Sequence, residues 1–173
     1  MNTVSTSTSL AAGALADCLG DLASVLERVS DLDYVAKAPG GVSGAIGAHV
    51  RHCLDHVNAV LDPAPDGVVR YDGRRRQPTL ETDRQMAAAT LRRSAERLDA
   101  LTRETADAPL VLESQVDRQG VCVQVLSSLA RELVFVLQHT IHHQALVGLL
   151  LAGRGVPVPN TFGYAPSTPR SAA

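Results

Sequence analysis

The chain has 173 residues, a formal net charge of −2 and 20 % charged residues, which suits one soluble domain with enough chain for a sizeable core. A near-neutral balance, no Trp and a single short basic run, Arg74-Arg75-Arg76, argue against a nucleic-acid partner. The three cysteines, Cys18, Cys53 and Cys122, are odd in number and widely spaced, so no disulfide framework is expected and a reducing, cytoplasmic setting is.

Met1 to Ser9 is rich in Ser and Thr and lacks a basic n-region, so it does not read as a signal peptide. The longest apolar run, within Ala145–Ala152, is too short to span a bilayer. No membrane partner is expected. Residues 1–8 and 169–173 are expected to be flexible flanks of a single domain covering residues 1–173.

From Ser9 to Val29, Leu10, Leu15, Cys18, Leu22, Val25, Leu26 and Val29 keep a helical period. Pro39-Gly40-Gly41 breaks the chain, and Ser43 offers an N-cap for a second helix that Pro63 and Pro65 stop after Leu61. Residues 66–78 are polar and Arg-rich, and read as a loop. A third helix is expected from Thr79 or Glu81 to about Thr105, with Met86, Ala89, Leu91, Leu98 and Leu101 on its apolar face. Residues 111–125 are β-branched at both ends around Asp117–Gly120, which predicts a short hairpin. The fourth helix, capped by Ser127 or Ser128, runs from Leu129 to Leu151 and is apolar on nearly every side, as befits the centre of a bundle. Phe162–Thr168 mixes aromatics with turn formers and reads as a tail laid over the helices. The fold expected is all-α, a four-helix bundle with a short β-hairpin between helices three and four.

All six histidines fall in two clusters on predicted helices: His49, His52 and His56 on the second, and His139, His142 and His143 on the fourth. At about 100° per residue the first three lie within roughly 60° of one another and the second three within roughly 100°. Histidine is the commonest metal ligand, and His139-x-x-x-His143 supplies two imidazoles from successive turns. A third ligand then comes from the second helix, which offers three. Three histidines leave a position open, as catalytic sites do. In so apolar a helix an unpaired imidazole is costly, and a metal or hydrogen bonds between the clusters would relieve it.

Glu132 shares a face with His139 and His143. It is a candidate to orient an imidazole or act as a general base, or else it pairs with an arginine near the helix start. Asp55, three residues after His52, is a candidate partner for it or a surface acid. Cys53 lies about 100° from His52 and reads as a packed residue. No G-x-S-x-G elbow or phosphate-cradling glycine loop is present.

With these clusters placed, the chain resembles the DinB/YfiT-like superfamily of small metal-binding helical bundles. The residues that carry the resemblance are Ile46-Gly-Ala-His49-Val-Arg-His52 and His139-Thr-Ile-His142-His143-Gln144. The resemblance implies a three-histidine site formed by His52, His139 and His143, with His49 and His56 as other candidates on the second helix and His142 in a supporting place. It also implies one divalent transition metal (Zn²⁺ or Ni²⁺, with Fe²⁺ as another choice) and transfer of a low-molecular-weight thiol such as mycothiol or bacillithiol, or metal-dependent hydrolysis. A non-catalytic metal module and a metal-free interaction bundle are the competing readings. A homodimer through apolar surface of the first and third helices is also expected.

Overall fold

The computed structural model describes residues 6–37, 44–73, 77–101 and 107–168. The Pro39–Gly41 break, the Ser43 cap, the Arg74–Arg76 run, the helix end near Thr105, residues 1–5 and residues 169–173 lie outside the described residues.

Helix α1 (Ser7–Leu26) is capped by Thr6, whose hydroxyl accepts from the Ser9 N–H at 3.1 Å. Ser7 and Thr8, expected in a flexible flank, are instead its first turn, and Thr8 is buried. Leu15, Leu19, Leu22 and Leu26 recur every three or four residues and are buried completely, each contributing about 1.5–3 kcal/mol of apolar transfer. A one-turn helix, α2 (Asp31–Val35), follows, capped by Ser30. Helix α3 (Ile46–Leu61) starts after Ala45, which makes no side-chain cap bond. A 3-10 turn at Pro78–Glu81 precedes α4 (Arg84–Leu101), where Asp83 accepts from the Met86 N–H at 2.8 Å. Helix α5 (Leu129–Ala152) is capped by Ser128 and ends at Gly153.

The third predicted helix thus begins later than expected, because of contacts from elsewhere in the chain. The Tyr34 hydroxyl donates to the Leu80 carbonyl at 2.6 Å, and Gly47 of α3 lies against the Glu81 carbonyl. With those carbonyls engaged from outside, the turn stays separate from α4. Helix α1 packs on α4 and α5, and α3 packs on α5 and α4, so each long helix rests mainly on two others. By length and mean hydropathy (1.4 and 1.3) α1 and α5 each pass for a bilayer-crossing helix; in the fold 56 % of that stretch of α1 is buried but only 33 % of that of α5, so α5 is not the enclosed centre its composition led one to expect.

The molecule is mostly helical, but the all-α expectation is corrected by a three-stranded sheet. Strands β2 (Pro109–Gln115) and β3 (Cys122–Ser128) form the expected antiparallel hairpin, in register from Pro109 opposite Ser128 to Gln115 opposite Cys122. Strand β1 (Val68–Arg70), from the segment read as loop, joins parallel to β2 with Val69 opposite Leu112 and Arg70 opposite Glu113. Burial of Val69 against Leu112 and the Arg70–Glu113 ion pair at 2.7 Å hold it there.

The tail behaves as expected. Phe162 is buried, and Gly163, with φ +76°, sits so close to Ala145 of α5 that a Cβ would stand 2.5 Å from its backbone. Gln144 receives the Gly163 N–H at 3.4 Å and donates to the Cys18 carbonyl at 2.7 Å, tying tail, α5 and α1 together.

Candidate metal centre

The helical period turns His49, His52 and His56 of α3 toward His139 and His143 of α5, and five imidazoles meet between the two helices. His52 and His139 approach through their Nε2 atoms at 2.9 Å. His49 and His143 approach through Nδ1 at 3.0 Å. His52, His56 and His139 each offer a ring nitrogen, and the three atoms lie within 4.8 Å of one another. The His143 ring stands edge-on to His52 and His139, at centroid distances of 4.6 and 4.7 Å.

The tautomer of His56 follows from its bonding. Its Nδ1 lies 2.9 Å from the His52 carbonyl, an acceptor, so Nδ1 carries the proton and Nε2 keeps the lone pair. That arrangement, one ring nitrogen anchored to backbone and the other left as donor, is what a metal-ligating histidine needs. His143 is pushed down from the ordinary 6.5 to about 3, chiefly by burial and further by His139, His49, His142 and His56. It is therefore neutral at pH 7, as a ligand must be. Donors on one tetrahedral ion with bonds of about 2.0–2.1 Å sit about 3.3 Å apart, so small rotations would close these imidazoles on a first-row cation. The residues present fit such an ion.

The surroundings contain two side chains that the sequence reading passed over. Tyr71, just after β1, stacks on His56 at 5.2 Å and 19° between planes, and Phe135 of α5 stacks on His139 at 5.8 Å and 17°. Alternation along Val69-Arg70-Tyr71 was the available signal, but only with β1 recognised as a strand.

Glu132, fully buried, receives the Tyr71 hydroxyl at 2.7 Å, the Ser127 hydroxyl at 2.6 Å and the Arg131 guanidinium at 2.7 Å. It therefore reaches the histidines through Tyr71, and burial together with this carboxylate pushes the Tyr71 hydroxyl well above its usual range. Asp55, also buried, pairs with Arg51 at 2.5 Å, and Arg51 continues to Glu81 at 2.5 Å. His142 is exposed, 5.2 Å from the His143 ring and 6.4 Å from His139. Cys53 is completely buried, and burial raises its thiol far above the range of a reactive thiolate.

Beyond the Asp55 side of α3 a cavity of about 780 Å³ opens between α3, α4 and β1, with Asp55, Asn58, Arg70, Arg93, Ser94 and Arg97 in its wall. Asp55 and Arg70 precede His56 and Tyr71 in the chain, so consecutive residues serve the cavity and the histidine cluster.

A mainly helical protein with an interhelical cluster of imidazoles able to hold a metal ion is the class these features define. The DinB superfamily model matches residues 14–147, and the chain belongs to that superfamily. Over 102 residues it is 34 % identical to FK506-binding protein 5 of Rhizopus delemar, a stretch that covers 58 % of this chain and 26 % of that protein. The chain thus spans about a quarter of that relative's length. No solved structure matches it.

Proposed function

We propose that this protein binds one divalent transition metal between α3 and α5 and uses it to act on a small molecule, either transferring a low-molecular-weight thiol or hydrolysing its substrate. One observation carries the reading: ring nitrogens of His52, His56 and His139 converge within 4.8 Å, with His56 already held in the ligating tautomer. The four long helices serve as a four-helix bundle that holds the two histidine faces in register. A bound Zn²⁺, Ni²⁺ or Fe²⁺ supplies Lewis acidity that lowers the pKa of a thiol or water. His52, His56 and His139 hold it. The Glu132–Tyr71 pair fixes the His56 ring, Phe135 walls the site beside His139, and His143 stands uncharged next to it.

A second reading exchanges His56 for His143. It is favoured by the edge-on approach of His143 to both His52 and His139, and it is the set that the family pattern implies. Substitution separates the two: His56→Ala lowers metal affinity by at least about tenfold in the first, His143→Ala in the second.

The catalytic part is tested by titrating metal-loaded protein with a panel of thiols and ester substrates, following thermal shift and turnover. Binding of at least one thiol, or turnover of one ester, lost with His139→Ala, is the expected outcome. A loaded protein that binds and turns over none of them is instead a metal-stapled module, in which the ion contributes folding free energy alone.

A further inference from the structure

We propose that β3 is the seam of a homodimer, in which the free edge of one protomer pairs antiparallel with the same edge of a second copy about a two-fold axis through Gln124. The proposal goes beyond the metal reading and does not depend on it.

Among the described residues, strand β3 ends the sheet, with β2 on one side only. Two ladder bonds fix the direction of its peptide groups. Val116 N–H donates to the Val121 carbonyl at 2.8 Å, and Leu129 N–H to the Ala108 carbonyl at 2.9 Å. In the β2–β3 register these set Val121, Val123, Val125 and Ser127 bonding to β2, while Cys122, Gln124 and Leu126 turn N–H and C=O to the open edge. Proteins usually guard such an edge with charges, Pro or a bulge. Residues 121–128 contain no charged residue and no Pro. They leave Val123 41 %, Val125 47 % and Leu126 89 % exposed.

Both faces of the sheet break off at this edge in a way a second copy completes. On the inner face the row Val69, Leu112, Val125 passes from 1 % to 9 % to 47 % exposure. Pairing about Gln124 places Val123 and Val125 opposite Val125 and Val123 of the partner subunit, which continues that row. On the outer face Arg70 donates to Glu113 at 2.7 Å and Gln124 donates to the other Glu113 oxygen at 2.9 Å. That ladder ends in an amide, and across the axis it meets the partner's Gln124, a group with the donor and acceptor an amide requires. Leu126, the most exposed large apolar residue among the described residues, comes to lie opposite Cys122 of the partner subunit.

The segment Val123-Gln124-Val125 reads the same in either direction, which is the condition for an isologous strand pair. The uncharged seam lets two chains of net charge −2 meet without opposed like charges. These features select a second copy of this chain as the occupant.

Sedimentation equilibrium from about 1 to 200 µM is the test, a range suited to a small interface. The mass is expected to rise with concentration to twice 18.2 kDa. Gln124→Pro removes an edge-facing N–H that β2 does not use, and Val123→Lys brings two like charges within a diagonal neighbour distance of about 7–8 Å across the seam, on the row that should be apolar. Each should stay monomeric with an unchanged far-ultraviolet spectrum.

The register is read in a Cys122→Ser background. Mixing Val123→Cys with Val125→Cys protein in the presence of oxidised glutathione, which accepts the two electrons, should yield a disulfide-linked dimer at least about tenfold faster than either alone. A monomer at every concentration overturns the proposal. So does a dimer that survives both edge variants, which places the interface on the helices, and so does faster linkage of Val125→Cys with itself, which moves the axis.

Discussion

Gly47→Ala tests how the fold aims the histidine face of α3. A Cβ at residue 47 would stand 2.1 Å from the Glu81 carbonyl oxygen and 2.8 Å from Tyr34 Cε1. A carbon–oxygen contact needs about 3.3 Å, so α3 and the 3-10 turn must separate by roughly 1 Å. Overpacking of this kind costs about 1–3 kcal/mol, and loosening the buried Tyr34–Leu80 bond adds about 1 kcal/mol. Helix propensity returns up to about 1 kcal/mol on replacing Gly by Ala. The net loss of about 1–3 kcal/mol should lower Tm by about 2–12 °C, since a domain of this size shifts about 2–4 °C per kcal/mol. Gly148→Ala is the internal control: on α5, its added Cβ would meet Phe162 at an ordinary 3.7 Å, so the propensity gain should raise Tm slightly. Thermal melts followed at 222 nm read both variants. A Gly47→Ala protein melting at or above wild type would refute the close-approach argument.

Thiol labelling should distinguish the three cysteines. Burial pushes Cys18 up to about 12 and Cys53 higher still, whereas Cys122 is exposed; a disulfide reagent at pH 8 should titrate one thiol in native protein and three after unfolding. Tyr71→Phe keeps the ring on His56 but removes a donor from the buried Glu132, so it should cost about 1–3 kcal/mol in chemical denaturation and leave metal stoichiometry unchanged. Stability of the metal-free protein should be full above about pH 6.5 and decline as pH falls toward about 3. In that window the unfolded chain takes a proton on His143 that the folded one refuses; a Tm that rises on acidification would contradict this sign.

The long helices and the facing histidine clusters were legible because a 3.6-residue period shows within one segment. His49, His52 and His56 share a face in any helix, and so do His139 and His143, so their convergence needed only that α3 and α5 be neighbours. Strand β1 was not legible. It has three residues, and what makes Val68–Arg70 a strand is Leu112 and Glu113 more than forty positions away.

Missing β1 hid Tyr71, and with Tyr71 the destination of Glu132. Face arithmetic placed that carboxylate beside the imidazoles, yet its bonds go to Tyr71, Ser127 and Arg131. The convergence of His56 with His52 and His139 depends on rotamers and on the His52 carbonyl, which helical spacing does not specify. The turn before α4 was hidden in the same way, since Tyr34 and Gly47 shape it from other parts of the chain.

The central claim, a metal held between α3 and α5, is tested most directly by elemental analysis of protein purified without chelator, beside its His52→Ala and His139→Ala variants. The structure predicts about one equivalent of a divalent transition metal in the wild type and less than about a tenth in each variant that remains folded. A folded wild type holding less than a tenth of an equivalent after incubation with Zn²⁺, Ni²⁺ and Fe²⁺ would contradict it and leave the imidazoles as a hydrogen-bonded network.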